Sequence, residues 1–259
     1  MIYIYRDHKL CETDSLIEAA GLAGWRHPAV CAAGAGGKTS VLRRLAAEYA
    51  KKGCVAAVTT TTHIKEEDLP WFLTETSEER MKEILARWGQ VWLGIPGAEG
   101  KLGSVPEPFF SKIWGIGIPV LIEADGARML PLKCPGQNEP VIPPQTTHVL
   151  SVYGMDALGQ RIEDVCFRAK RAAQLLNKQI TQPVTAEDIS VLAASEEAGR
   201  KGCPAGAVYT VVLNKADDSR RRKQAAEICA MLERQGVGRI IVTSLKGGGL
   251  QPDFTAGQR

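Results

Sequence analysis

Short, almost wholly apolar runs recur along this chain, at 29–33, 55–58, 91–95, 118–122, 148–152, 207–213 and 239–242. They are continuous rather than alternating, which predicts strands covered on both faces, as in a parallel sheet. Between them lie stretches whose apolar positions return every three or four residues. Val41, Leu42, Leu45, Ala46 and Tyr49 mark a helix over 39–52. Met81, Ile84, Leu85 and Trp88 mark a charged helix over 66–90, and a third runs over 219–235. Residues 14–24 read as a short helix, with Ile17, Ala20 and Leu22 inward and Asp14 or Ser15 as its cap. Two further helical patterns fill 163–198, the second opened by Thr185 with Asp188 completing a capping box. Residues 96–103 hold turn formers and read as a mobile loop; 131–147 hold five prolines and read as a long loop. Strands alternating with helices predict an α/β domain.

One stretch gives the pattern a chemistry. The strand at 29–33 runs into Gly34-Ala35-Gly36-Gly37-Lys38-Thr39-Ser40, and a helix pattern follows at once. Such a loop turns backbone N–H groups around phosphate oxygens, and the helix adds the positive end of its dipole. Lys38 would reach the outer phosphates and the Thr39 hydroxyl a Mg²⁺ ion. The usual pattern has glycine where Ala32 stands. The expected fold is therefore P-loop NTPase-like, with a mainly parallel sheet flanked by helices. It forms a single domain over 1–259, with a helical insert at about 155–206 and a flexible tail at 251–259.

Three later strand ends carry polar residues where such sheets bind ligands. Thr59-Thr60-Thr61-Thr62-His63 is either a strand continuation or a place where a hydroxyl or carbonyl faces Mg²⁺ or the γ-phosphate. Glu123-Ala124-Asp125-Gly126 ends an apolar strand; a carboxylate there can bind the magnesium or its water, and Gly126 lets an N–H approach the γ-phosphate. Asn214-Lys215-Ala216-Asp217 follows the strand at 207–213. Guanine presents N1–H and N2–H₂ donors that the Asp217 carboxylate can accept, whereas adenine has an acceptor at N1. Lys215 can lie over the base, Asn214 can tie loops together, and the Ser244-Leu245-Lys246 segment can offer a backbone N–H to guanine O6. Arg128, Lys133 and Glu139 are the other polar residues near these ends, and with Thr60, Thr61, Thr62 and His63 they are candidates for a switch.

Composition narrows the classes. A net charge of +3 on 259 residues demands neither nucleic acid nor anionic lipid. Arg220-Arg221-Arg222-Lys223 reads as a solvated helix face. No apolar run approaches the roughly 18 residues of a membrane span. The start, Met1 to Asp7, lacks a basic-then-apolar export signal, and seven scattered cysteines fit reduced thiols, so a cytoplasmic protein is expected.

The ordered motifs also resemble a known family. They are Ala-Gly-Ala-Gly-Gly-Lys-Thr (33–39), Thr-Thr-Thr-Thr-His (59–63), Gly-Lys-Leu-Gly (100–103), Glu-Ala-Asp-Gly-Ala-Arg (123–128), Pro-Leu-Lys-Cys-Pro (131–135), Glu-Pro-Val-Ile-Pro (139–143) and Leu-Asn-Lys-Ala-Asp (213–217). Together they resemble the YqeC family, described as selenium cofactor biosynthesis or accessory proteins of selenium-dependent molybdenum hydroxylases. The resemblance implies such a hydroxylase, or its cofactor, as partner. Glu123-x-x-Gly126 further resembles the switch of the GTPase superclass that includes nickel- and cobalamin-insertion metallochaperones. That likeness implies Glu123 as switch carboxylate and Asp125 as magnesium partner, with the two roles open to exchange. No clear aspartate follows the second strand, where those metallochaperones carry one, so the water-activating group is unassigned.

The expectation is a Mg²⁺-dependent nucleotide-binding or nucleotide-hydrolysing accessory factor that prefers GTP. Lys38, Glu123 and Asp125 would be catalytic, Thr39, Asp125 and Glu123 would hold the metal, and Asp217 would select the base. One alternative is an ATP-dependent ligase or kinase, since Gly34-x-x-Gly37-Lys38-Thr39 with a later threonine run resembles amino-acid ligases of cell-wall synthesis. The other is a binding module that nucleotide locks without turnover.

Overall fold

The apolar runs assemble into one ten-stranded sheet. Its strands are β1 (Ile2–Arg6), β2 (Lys9–Thr13), β3 (Ala29–Gly34), β4 (Ala56–Thr60), β5 (Phe72–Leu73), β6 (Gln90–Leu93), β7 (Val120–Glu123), β8 (His148–Gly154), β9 (Val208–Asn214) and β10 (Ile240–Thr243). The computed structural model describes residues 1–245. The expected tail at 251–259 and Lys246 lie outside the described residues.

The strand order is β2-β1-β10-β9-β8-β3-β7-β4-β6-β5, parallel throughout except for the two pairings of β1. From β3 the chain moves outward to β4, β5 and β6, returns to place β7 between β3 and β4, then continues on the other side with β8, β9 and β10. The carboxyl end of β3 is thus a topological switch point, where open α/β sheets leave a crevice for ligands.

The helices are α1 (Leu16–Ala19), α2 (Lys38–Lys51), α3 (Glu78–Trp88), α4 (Glu107–Gly115), α5 (Ile162–Val165), α6 (Ala169–Leu175), α7 (Ala186–Ala194) and α8 (Ser219–Arg234). Alternate residues of each inner strand serve opposite layers. Val30, Ala32, Leu150 and Val152 pack with Leu42 and Leu45 of α2. Cys31, Ala33 and Ile122 pack with α3 and α4. Val149, Tyr153 and Leu213 pack with Ile189 of α7 and Ile228 of α8. Burial on both faces explains why these strands read as unbroken apolar runs.

Several expected elements differ from what formed. The helix expected over 66–90 is confined to α3. Ser77 caps it by accepting from the Arg80 N–H, and Gly89 ends it at φ +65°. The residues before Ser77 include Pro70 and the short edge strand β5, which pairs with β6. The 14–24 helix shrinks to α1, capped by Ser15 and held by the buried Glu48 carboxylate, which accepts from the N–H groups of Leu16 and Ile17. The 96–103 segment belongs to a small antiparallel sheet of His63–Lys65, Ile95–Pro96 and Lys101–Gly103. The β1–β2 hairpin and α4 carried no expectation. The hairpin turns on Asp7-His8, both at positive φ, the backbone a tight two-residue turn needs. Between β8 and β9 lie α5, α6 and α7, and the capping box of Thr185 and Asp188 is formed. Among the described residues no helix is long and apolar enough to cross a membrane.

Candidate functional site

The loop between β3 and α2 sits at the switch point. Gly34, Gly36 and Gly37 all have positive φ. At Gly36 the need is doubled: a Cβ there would lie 2.2 Å from the Gly154 nitrogen of the neighbouring strand end. Ala35 N donates to Val152 O at 2.9 Å and Gly36 N to Leu130 O at 3.3 Å, which ties the loop to β8 and to the 127–131 turn. Helix α2 opens on Gly37 with no side-chain cap. The first-turn amides of α2, Thr39 and Ser40 included, therefore lack a partner within their own helix, an arrangement suited to an anion.

Lys38 is 4% exposed and folds back over the loop. Its Nζ donates to Gly34 O at 2.7 Å and lies 3.1 Å from Asp125 Oδ1 and 3.8 Å from Glu123 Oε1. Asp125 Oδ2 accepts from Gly34 N at 3.2 Å and pairs with Lys133 Nζ at 2.9 Å. Lys133 also reaches Glu139 Oε2 at 2.5 Å and Gly126 O at 2.6 Å, and Arg168 Nη1 meets the same Glu139 oxygen at 2.8 Å. Charges of alternating sign thus run from the phosphate loop outward through Asp125, Lys133, Glu139 and Arg168. At the outer end the guanidinium carbons of Arg168 and Arg128 lie 4.4 and 4.9 Å from the centre of the Phe167 ring.

The two carboxylates of the acidic strand end have different surroundings. The Thr39 hydroxyl donates to Glu123 Oε2 at 2.7 Å. Glu123, rather than Asp125, therefore stands beside Thr39, because Asp125 is drawn toward Gly34 and Lys133. Burial raises the Glu123 carboxyl above its ordinary range, opposed by Lys38 and the Thr39 hydroxyl. Among the described residues no three His, Cys, Asp or Glu side chains gather to hold a metal. A nucleotide-bound Mg²⁺ needs less: it takes one or two protein oxygens and leaves the rest to phosphate and water. The adjacent Thr39 hydroxyl and Glu123 carboxylate fit that demand.

Burial raises the Glu139 carboxyl, but hydrogen bonds and charge from Arg168 and Lys133 outweigh it and hold it down at about 2. A folded-state value below the unfolded one means stability present above about pH 4.5 and lost as pH falls toward 2. Glu139→Gln should therefore lower stability at neutral pH and flatten its decline across that interval, as acid denaturation of the two proteins would measure.

On the opposite side of the loop, Asn214 ends β9. Its Nδ2 donates to Gly36 O at 2.9 Å, and its Oδ1 accepts from Thr243 Oγ1 at 2.8 Å. One side chain joins the phosphate loop to the last strand. Asp217 accepts from Ser244 Oγ at 2.7 Å and lies 3.5 Å from Arg221 Nη1. Lys215, at φ +64°, pairs with Asp156 at 2.7 Å. Asp156, Asn214, Lys215, Asp217 and Arg221, with Gly37 and Ser40, line a cavity of about 470 Å³. That volume falls within the roughly 300–1,000 Å³ of small-molecule sites.

The structure brings together Gly34 to Ser40, Glu123 and Asp125 at one end, and Asn214, Lys215, Asp217 and Ser244 at the other. Lys133 and Glu139 join through the charge chain. Of the two readings of the threonine run, the strand continuation holds as far as Thr60, where β4 ends. Thr60 Oγ1 donates to Glu123 O and Thr61 Oγ1 to Val141 O, so both fasten neighbouring segments. The Thr62 N–H donates to Thr60 Oγ1, and His63 is exposed. Gly126 is exposed and offers its carbonyl to Lys133. Sequence reasoning missed Asp156, Arg168 and Thr243. The polar Thr243-Ser244 pair at the end of β10 was the available signal for Thr243; Asp156 and Arg168 sit in stretches with no distinguishing spacing.

The topology and the glycine-lysine-threonine loop at its switch point define the class: an α/β protein of the P-loop type. Within that class the chain belongs to the YqeC family, whose model, described as "YqeC protein", matches residues 30–170. It is 26% identical over 221 residues to "Uncharacterized protein YqeC" of Escherichia coli (strain K12), covering 83% of this chain and 86% of that protein. Among solved structures it is similar to the signal recognition particle 54 kDa protein of Aeropyrum pernix K1 in complex with GDP. There the TM-score is 0.40 and the identity 16%, and the likeness spans 85% of this chain and 42% of that one.

Proposed function

We propose that this chain is a guanine-nucleotide-binding accessory factor that hydrolyses GTP with Mg²⁺. The observation that carries the reading is the joint geometry of Asn214 and Asp217. Asn214 fastens the base-side loop to the phosphate loop, and Ser244 orients an acceptor-only carboxylate at the cavity edge. That carboxylate complements the two donors of guanine and repels the N1 acceptor of adenine. Lys38 exchanges its protein carboxylates for the outer phosphates. Thr39 and Glu123 would hold the Mg²⁺, which neutralises charge building on the phosphoryl oxygens. Asp125 keeps Lys133 as its counterion when Lys38 leaves. The link to selenium-dependent molybdenum hydroxylases is supported by the motif resemblance, and the client is such an enzyme or its cofactor.

Titration with GTP, ATP and Mg²⁺, then turnover with and without a molybdenum hydroxylase, tests the whole reading. Asp217→Asn tests the base pocket. An amide presents one donor and one acceptor, which suits xanthine. GTP affinity should fall about 10- to 100-fold, the worth of one charge-assisted hydrogen bond, while xanthosine triphosphate should gain. Unchanged GTP preference in that variant refutes the pocket, and tighter binding of ATP than GTP by the unmodified protein would favour the ligase or kinase alternative.

A further inference from the structure

The cavity contains a second carboxylate that the base does not need. Asp156 lies in the short 3₁₀ turn Met155–Ala157 just after β8. Resting on the guanine-nucleotide reading, we propose that Asp156 reads the sugar, accepting a hydrogen bond from a ribose hydroxyl and so selecting ribonucleotides over their deoxy counterparts.

Position is the first argument. Gly154 lies beside Asn214 in the sheet register. A Cβ built on Gly154 would meet Asp156 Oδ1 at 2.5 Å and the Gly36 Cα at 3.2 Å, so the carboxylate lies close to the phosphate loop. Its other oxygen, Oδ2, receives Lys215 Nζ at 2.7 Å from the base-side loop. Asp156 therefore bridges the stretch between phosphate grip and base pocket, which a nucleotide spans with its sugar. It lines the cavity together with Gly37 and Ser40 on one side and Asp217 on the other.

Chemistry is the second. An ionised carboxylate only accepts hydrogen bonds. Phosphate oxygens offer no donor and repel it, and the donors of the guanine edge are matched by Asp217. The remaining donors of a guanine ribonucleotide are the sugar hydroxyls. Lys215 neutralises Asp156 from the side, so a carboxylate is tolerated near a polyphosphate. Asp156 Oδ1 has no hydrogen-bond partner although it is buried. The hydrogen-bonding capacity of this residue is thus incompletely used by the protein itself.

Calorimetric titration with GDP, 2′-deoxy-GDP and 3′-deoxy-GDP tests the assignment. The unmodified protein should bind at least one deoxy analogue about tenfold more weakly than GDP, roughly the loss of one hydrogen bond to a charged group. Asp156→Ala should weaken GDP to the level of that analogue, bringing the ratio near one. Should the alanine variant not fold, Asp156→Asn, which keeps an acceptor oxygen without the charge, should narrow the ratio several-fold. Equal affinity for all three ligands in the unmodified protein overturns the assignment, as does an unchanged ratio in the folded variant. GDP bound without sugar discrimination sinks this assignment alone, whereas no binding of any guanine nucleotide sinks the underlying reading.

Discussion

Lys38→Met is expected to weaken GTP binding at least 100-fold. The lysine is the side-chain cation that can leave the loop floor and meet the outer phosphates. Each hydrogen bond to a charged group contributes about 1.5–3 kcal/mol, and an ammonium clamped between two phosphates makes more than one. The fold should survive. Asp125 keeps Lys133 and the Gly34 N–H, and Glu123 keeps the Thr39 hydroxyl. Calorimetry with GTP measures the loss, and a circular dichroism melt in parallel separates it from unfolding. A variant that binds GTP as tightly as the unmodified protein would remove the phosphate loop from the account.

Lys133→Met should produce the largest loss of stability among these substitutions. The ammonium is fully buried and serves Asp125, Glu139 and the Gly126 carbonyl together. Removing one partner of a buried pair costs about 3–5 kcal/mol, because the charge left behind stays desolvated. Here Lys38 and Arg168 still attend the two carboxylates, which places the cost toward the lower end. For a chain of this size about 3 kcal/mol corresponds to a fall in Tm of roughly 6–12 °C. Differential scanning calorimetry of the two apo proteins decides it. A Tm within about 2 °C of the unmodified protein would show that the buried chain of charges contributes little to folding. Nucleotide should also bind this variant less well, since Asp125 would then lose its last nearby cation when Lys38 turns to phosphate.

The inner strands β3, β4 and β6 to β10 were legible because burial on both faces leaves an unbroken apolar signature, and the capping box at Thr185 was legible because its spacing is local. The phosphate loop was legible for the same reason: Gly36 and Gly37 are required by backbone geometry within a few residues of Lys38. What failed depended on distant partners. Lys133 stands out in its proline-rich loop as a polar candidate, but its burial was not legible, because pairing of Leu132–Lys133 with Cys166–Phe167 carries it inside. The division of labour between Glu123 and Asp125 could not be read from their spacing, because Gly34 and Lys133 draw Asp125 away from Thr39. The charged segment before Ser77 read as helix because charge resembles a solvated helix face. Its few apolar residues instead extend the sheet edge at β5.

Asn214 touches Gly36 with one end of its amide and Thr243 with the other. A single planar group thus acts as a tie rod between the two halves of the crevice. If one half tightens on its share of a nucleotide, the rod sets the other half at the matching separation before the remaining share arrives. Whole nucleotides should accordingly be favoured well beyond what free guanosine and free pyrophosphate achieve separately.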